Sequence, residues 1–364
     1  MAGAPRCPDT CRMAPTDIPG TRIAVPRADG PPRVPRWKEN VVVRRVLFVS
    51  LWLGGTLAAA AQDQVPPLAG ASTTFRSTVE VVTLNVTVTD IEGRQVAGLK
   101  GDDFEVLEDG VRQEVRFFNA INIPLDVVLL IDTSSSMRGK IEMVQAAARE
   151  FVKKLRPSDR GAVVTFNSAV RVVQSFTEDA ALLDGAINSA RLGGGTALYT
   201  GIYVSLDHFS RLARREGELR KSAVVLLSDG EDTGSLIGEE DLLERARRAG
   251  VPIYPISVIS ESDRNALTLA NQQRMRTGAD FTLRTLARET GATAFFPMKL
   301  ADLAGVYGQI AGELAAQYSV GYVPSAPTAN GAFRRILVRI PTRPDAKPRT
   351  RAGYYATGPG RAAR

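Results

Sequence analysis

VVLLIDTSSSMRGKIEMV, residues Val127–Val144, joins three kinds of pattern in eighteen positions. The apolar run, which begins at Leu125, is continuous rather than alternating. That is the mark of a strand buried on both faces. It stops at Asp132, and Thr133, Ser134, Ser135 and Ser136 follow at once. Beyond them Ile141, Val144, Ala148, Phe151 and Leu155 fall on one stripe of a helix. Hydroxyls and a carboxylate at the end of a buried strand are costly unless something satisfies them. A nucleophile, a phosphate or a metal would each be an answer.

The same grammar continues outward. AVVTFN and VRVVQSF read as strands, and a helix from Ala197 lines up Leu198, Ile202, Leu206 and Phe209. SAVVLLSDG is another buried strand. A helix over Glu239–Arg248 stops at Gly250, a residue suited to a left-handed C-cap. VPIYPISV and TAFFP read as strands, Leu283–Thr290 as a helix ended by Gly291, and Leu303–Leu314 as a last helix. Strands alternating with helices predict an α/β domain over 122–315, with a doubly wound, mostly parallel sheet. Ser260–Thr277 is polar and aperiodic, and reads as a surface insertion.

Both flanks are β in character. Val82, Leu84, Val86 and Val88 alternate with Thr83, Asn85, Thr87 and Thr89, as in a half-buried strand. DFEVLEDGVRQEVRFF adds a turn at Glu108-Asp109-Gly110 with Val111, Gln113, Val115 and Phe117 beyond it. After Ala316, QYSVGYV and RRILVRI alternate again, and RAGYYA follows. Each flank is too small to bury its own apolar face. The simplest expectation is one β-sandwich built from 76–121 and 316–356, with the α/β domain inserted; separate packing of each flank on that domain is the alternative. Residues 62–75 read as a linker and 357–364 as a tail.

Charge argues about partners. The chain of 364 residues carries a net +7, but nine of its 46 Lys/Arg and only four of its 39 Asp/Glu lie in residues 1–61. The remainder holds 37 basic against 35 acidic residues, so no nucleic-acid partner is expected. The excess sits in a leader, where Arg44 and Arg45 precede an apolar run from Val46 and small residues up to Ala61. That is the layout of a secretory signal cleaved near Ala61, placing the mature chain outside the cytoplasm, secreted or in the envelope. The run is short for a membrane span, so membrane attachment is expected only if the leader stays uncleaved. The Pro- and Arg-rich first forty residues suggest a true start near 41–43. Both cysteines, Cys7 and Cys11, lie in that segment, so the expected mature chain would have no disulfide, thiolate metal site or cysteine nucleophile.

Ligands of open α/β sheets sit outside the carboxyl ends of the strands. Three such ends carry oxygen here: Asp132–Ser136, the loop LGGGTALYTG with Thr196, and Ser228–Asp232. Hard oxygen donors of this kind suit Mg²⁺ or Mn²⁺, or Ca²⁺, rather than zinc. Asp132-x-Ser134-x-Ser136, Thr196 on a Gly-rich loop and Asp229 after a strand resemble, in order and spacing, the metal-ion-dependent adhesion site of the von Willebrand factor A-type domain. The wider layout, with EDG before the domain and GYYA after it, is similar to the acidobacterial VWFA-related secreted proteins. The resemblance implies that Ser134, Ser136 and Thr196 ligate one divalent cation directly, with Asp132 and Asp229 acting directly or through water. It also implies a non-enzymatic module that captures an Asp or Glu carboxylate of a protein partner. A fixed envelope assembly or regulatory subunit is the other reading.

Competing readings are poorer. Serines that merely cap the following helix would leave Thr196 and Asp229 unexplained. A serine hydrolase needs a base, and the sole histidine, His208, reads as a solvated helix residue. RLGGGTALYTG lacks the Gly-Lys-Ser/Thr of a phosphate loop. DGEDTGSLIGEE spaces Asp229, Glu231, Thr233, Gly234 and Glu240 like a calcium loop, but it follows a strand rather than a helix.

Overall fold

The computed structural model describes residues 81–119, 123–216, 220–229, 231–258, 279–297, 299–325 and 331–356. All fall within one compact unit, Thr73–Arg364. The leader, the linker, the 260–277 insertion and the tail lie outside the described residues. Among those described, no helix is long and apolar enough to cross a membrane.

The central sheet has the order β7-β6-β5-β8-β9: β5 is Leu125–Asp132, β6 Arg160–Phe166, β7 Val170–Thr177, β8 Lys221–Ser228 and β9 Ile253–Ser257. It is parallel except for β7, which pairs antiparallel with β6 at the edge. Every residue of β5 is buried. Val127, Leu129 and Ile131 meet α1 (Ile141–Val152), α2 (Ala180–Asn188) and α6 (Leu303–Ala316) on one face. Val128 and Leu130 meet α3 (Leu198–Glu216), α4 (Glu239–Ala249) and α5 (Ala279–Thr290) on the other. Two faces covered by helices explain why β5 has no polar alternation.

Two expectations need correction. TAFFP forms no strand. It contributes a single bridge, Ile256↔Phe295, because Pro297 follows at once and removes a donor. The helix α2 was not anticipated, although Asp179 caps it, its carboxylate accepting from Ala181 N at 2.8 Å and Leu182 N at 3.4 Å.

The flanking segments form two four-stranded antiparallel sheets. One has the order β12-β1-β10-β4: β1 is Val82–Thr89, β4 Val115–Asn119, β10 Tyr318–Tyr322 and β12 Lys347–Arg349. The other has the order β13-β11-β2-β3: β2 is Glu105–Glu108, β3 Val111–Gln113, β11 Phe333–Arg339 and β13 Gly353–Tyr355. Each sheet mixes strands from both flanks, with Leu84 opposite Val320 and Val106 opposite Val338. Leu84, Val86, Phe104, Val106, Tyr318, Val320, Ile336 and Val338 share one core. Asp109 (φ 48°) and Gly110 (φ 84°) make a two-residue hairpin turn with both residues left-handed. The stretch after that turn is not one strand: it breaks at Glu114, and β3 and β4 belong to different sheets. This is the corner at which a chain passes between packed sheets.

The sheets meet the α/β domain at the amino ends of its strands. Lys221, which opens β8, donates from its backbone to Pro124 O at 2.8 Å and from Nζ to Gln317 O at 2.7 Å. Glu313 of α6 is nearly buried there and accepts on Oε1 from Thr87 Oγ1 (3.2 Å), Tyr254 OH (2.8 Å) and the Arg349 guanidinium. Thr87 and Arg349 belong to the β layers, Tyr254 and Glu313 to the α/β domain. This polar cluster explains why Thr87 is buried on the face of β1 expected to be wet. Gly291 admits the same contact: a Cβ there would lie 2.5 Å from Arg351 N.

Burial lowers the pKa of Lys221 to about 8, with the Arg156 charge acting in the same direction. The unfolded chain holds that proton more tightly, so this group's contribution to stability rises with pH from about 8 to about 10.4. Lys221→Met lacks the dependence. The stability of the variant relative to the unaltered protein should fall as pH rises through that window, read from denaturant midpoints; a constant difference contradicts the burial effect.

Candidate functional site

The carboxyl ends of β5 and β8 lie about 26 Å from their starts, at 3.3 Å per residue over eight residues. There Asp132 is fully buried. Its Oδ1 accepts from Ser134 N at 2.8 Å and its Oδ2 from Ser228 Oγ at 2.8 Å. Ser134 Oγ and Ser136 Oγ share a hydrogen bond of 2.9 Å. Neither serine caps α1: Lys140 stands at that N-cap and makes no side-chain capping bond, and the Ser134 side chain makes no capping bond to the backbone of the short turn Ser135–Met137. The capping explanation therefore fails.

Three loops are stitched together by backbone groups. Gly193 N donates to Thr133 O at 2.9 Å, and Ser135 donates to Gly194 O from N at 3.2 Å and from Oγ at 3.0 Å. Thr196 N donates to Thr233 Oγ1 at 3.0 Å, and Thr233 N returns a bond to Thr196 O at 2.9 Å. Gly194 has φ 71°, and a Cβ there would lie 2.2 Å from Ser168 Oγ, so the loop closes only with glycine. Ser168 Oγ in turn accepts from Gly195 N at 2.7 Å. Asp232 Oδ1 accepts from Tyr199 N at 3.1 Å and Ser235 Oγ at 2.6 Å, tying the third loop to the start of α3.

Asp132, Ser134, Ser136, Thr196 and Asp229 thus sit on adjoining loops at one end of the sheet. Burial raises the pKa of Asp132 to about 6, and the nearby Asp229 charge pushes it the same way, against the hydrogen bonds from Ser134 and Ser228. Asp229 is 8% exposed, and its Oδ1 is buried with no hydrogen-bond partner. Unpaired buried acceptors of this kind are rare in folded chains. No group of three or more His, Cys, Asp or Glu able to hold a metal occurs among the described residues, so the calcium-loop reading from Asp229 is not formed. What remains is two carboxylates with hydroxyls, a set that fits one hard cation and leaves Asp229 Oδ1 free to face it.

Ser228, Ser168, Thr233 and Asp232 support the site in roles that the sequence does not assign to them. Ser228 carried a legible signal, a hydroxyl closing a buried strand beside Asp229. The others depend on contacts over tens of residues. His208 differs from expectation: it is half-buried on α3, stacked on Phe176 with ring centroids 5.0 Å apart, and its Nε2 has no hydrogen-bond partner. Burial lowers its pKa, and the Arg211 charge adds to that. It lies about 15 Å along the helix from Leu198, far from the loops.

A family model for the von Willebrand factor type A domain matches residues 126–292. Residues 126–292 are a von Willebrand factor type A domain. A-type domains generally mediate protein–protein interaction, sometimes through a metal-ion-dependent adhesion site. A UPF0353 protein of Nocardia farcinica is 28% identical over 207 residues, 50% of this chain and 60% of that protein. Inter-alpha-trypsin inhibitor heavy chain H1 of Sus scrofa is 28% identical over 147 residues, 37% of this chain and 16% of that one. The matched region thus spans less than two thirds of the length of each of these relatives. Among solved structures, a von Willebrand factor type A protein of Catenulispora acidiphila is similar with TM-score 0.44 and 14% identity, over 78% of this chain and 76% of that one.

Proposed function

We propose that the A-type domain is a metal-dependent protein-binding module acting outside the cytoplasm. The observation that carries this reading is the unpartnered, buried Asp229 Oδ1 beside the buried Asp132. Two buried carboxylates near enough for one charge to act on the other call for a positive charge at the site. Ser134, Ser136 and Thr196 would hold a divalent cation, Mg²⁺ or Mn²⁺ by donor type, with Asp132 and Asp229 in direct or water-mediated contact. When bound, the ion supplies a coordination position that an Asp or Glu carboxylate of a protein ligand can fill. With the neutral hydroxyls as direct ligands and the carboxylates acting through water, the cation would keep enough charge to favour an anion over a neutral group.

The test is a pull-down from envelope extract with the full chain, in millimolar Mg²⁺ or in chelator. The expected result is capture in Mg²⁺, loss in chelator, and elution by a short Asp-containing peptide. Several captured proteins indicate adhesion, whereas one stoichiometric partner indicates an assembly subunit. Capture that survives chelator contradicts the cation-dependent reading.

A further inference from the structure

At the end of the molecule opposite the metal-type site, a cleft of about 540 Å³ opens between the A-type domain and the β layers. Its walls come from the last turns of α5, from β11 and from the segment Pro348–Ala352. The volume lies in the range of small-molecule sites, which favour such junctions. The lining is divided in chemistry. Ala287, Ala292, Ile336 and Pro348 are among its apolar residues, while Arg284, Arg288, Arg349 and Arg351 bring four guanidiniums and no lining residue brings a carboxylate; Arg349 is already paired with Glu313 and Arg288 with Glu289, which leaves Arg284 and Arg351 without a carboxylate among the described residues.

Arg284 stands out. It is exposed, its guanidinium lies 3.9 Å over the Phe296 ring, and no carboxylate reaches it among the described residues. Stacked this way the head group is held in place with its donors unused. On the facing wall the outward positions of β11 read Arg335, Leu337 and Arg339, with Leu337 48% exposed. Its cross-strand neighbour on β2 is Leu107, so the face carries an apolar pair flanked by cations and still leaves nearly half of Leu337 open to solvent. Three lining residues also own buried polar atoms without partners: Thr293 Oγ1, Thr350 Oγ1 and Arg351 Nε. The junction therefore has unmet hydrogen-bonding capacity beside unmatched positive charge and exposed apolar surface.

We propose that this cleft is a second binding site, for an amphiphilic organic acid whose anionic head meets Arg284 and whose apolar body lies against Leu337, Ala287 of α5 and Ala292 and Ala294 just beyond that helix. The site is independent of the cation.

The experiment is a fluorescence titration of the full chain with anilinonaphthalene sulfonate, an anion with an apolar body, in chelator throughout. Saturable one-site binding is expected, displaced by decanoate and not by an equal concentration of decanol. Arg284→Glu should weaken the probe at least tenfold. Leu337→Asp should do the same by a different route. Both side chains are exposed, so unchanged circular dichroism and melting show that each variant is folded. Absence of saturable binding overturns the proposal, as does an affinity within twofold in both variants. Equal displacement by decanol means that the cleft is merely greasy, and displacement by polyglutamate but not decanoate means that it takes acidic peptide; either result also overturns it.

Discussion

Asp229→Ala abolishes divalent-cation binding and inverts the order of stabilities between chelator and metal. In chelator, Asp229 is a buried carboxylate with an unpartnered oxygen and a repulsive neighbour in Asp132. Its removal relieves both, so the variant should melt at or above the unaltered protein. In Mg²⁺ or Mn²⁺ at a hundredfold excess over Kd, the unaltered protein gains about 2.7 kcal/mol. That is roughly 5–10 °C for a domain of this size. The variant gains nothing, because the remaining hydroxyls and one carboxylate hold a cation too weakly. Calorimetry and melting curves read both halves. A chelator-treated variant that melts far below the unaltered protein would mean that Asp229 serves the fold, and a wild type indifferent to cations would remove the metal site.

Asp126→Ala should cost about 3–5 kcal/mol, the largest stability effect expected of a single carboxylate here. Asp126 is the second residue of β5, with its side chain 5% exposed. Arg160 donates to it from Nε and Nη2, each at 2.9 Å, and Arg220 donates from Nε at 2.7 Å. The two guanidinium side chains are only 15% and 8% exposed. Without the carboxylate, two cations are left facing each other with little water. Denaturant unfolding measures the loss. A drop under 1 kcal/mol would show that the arginines swing out to solvent. Additional replacement of Arg160 and Arg220 by leucine should recover part of the stability, since the penalty is the unpaired charge rather than the missing contact.

The α/β domain is legible because its strands are continuous apolar runs and its helices carry one apolar stripe. The loops are legible because a buried strand ending in Asp132 or Asp229 needs a reason. What escapes the sequence are pairings over long separations. Asp126 sits inside an apolar run with nothing nearby to mark Arg160 or Arg220 as partners. Glu313 looks like an ordinary helix glutamate until β1 and β12 close over it. The break at Glu114 is invisible because β3 and β4 keep the same alternation while changing sheets. His208, next to Asp207 in an amphipathic helix, reads as wet, and only the lie of β7 brings Phe176 over it. TAFFP has strand composition, yet Pro297 leaves it one bridge. In each case a residue's own chemistry is evident, and the neighbour that decides its role comes from a distant part of the chain.

The two crossings between the β layers and the A-type domain also fix how the molecule carries mechanical load. β4 leads toward the domain, β10 leads away from it, and the two are hydrogen-bonded neighbours, with Asn119 opposite Ser319 and Phe118 opposite Val320. Tension applied at the loops of the A-type site reaches β4 and β10 from the same side, so the pair is drawn as one ribbon. On its other side β10 is paired with β1 from Val82↔Tyr322 to Val86↔Tyr318. To yield, the ribbon must slide along β1 and break those bonds together in shear, not peel them one by one. Tension between the A-type domain and β1 would therefore meet the β1–β10 ladder in shear, its more resistant direction.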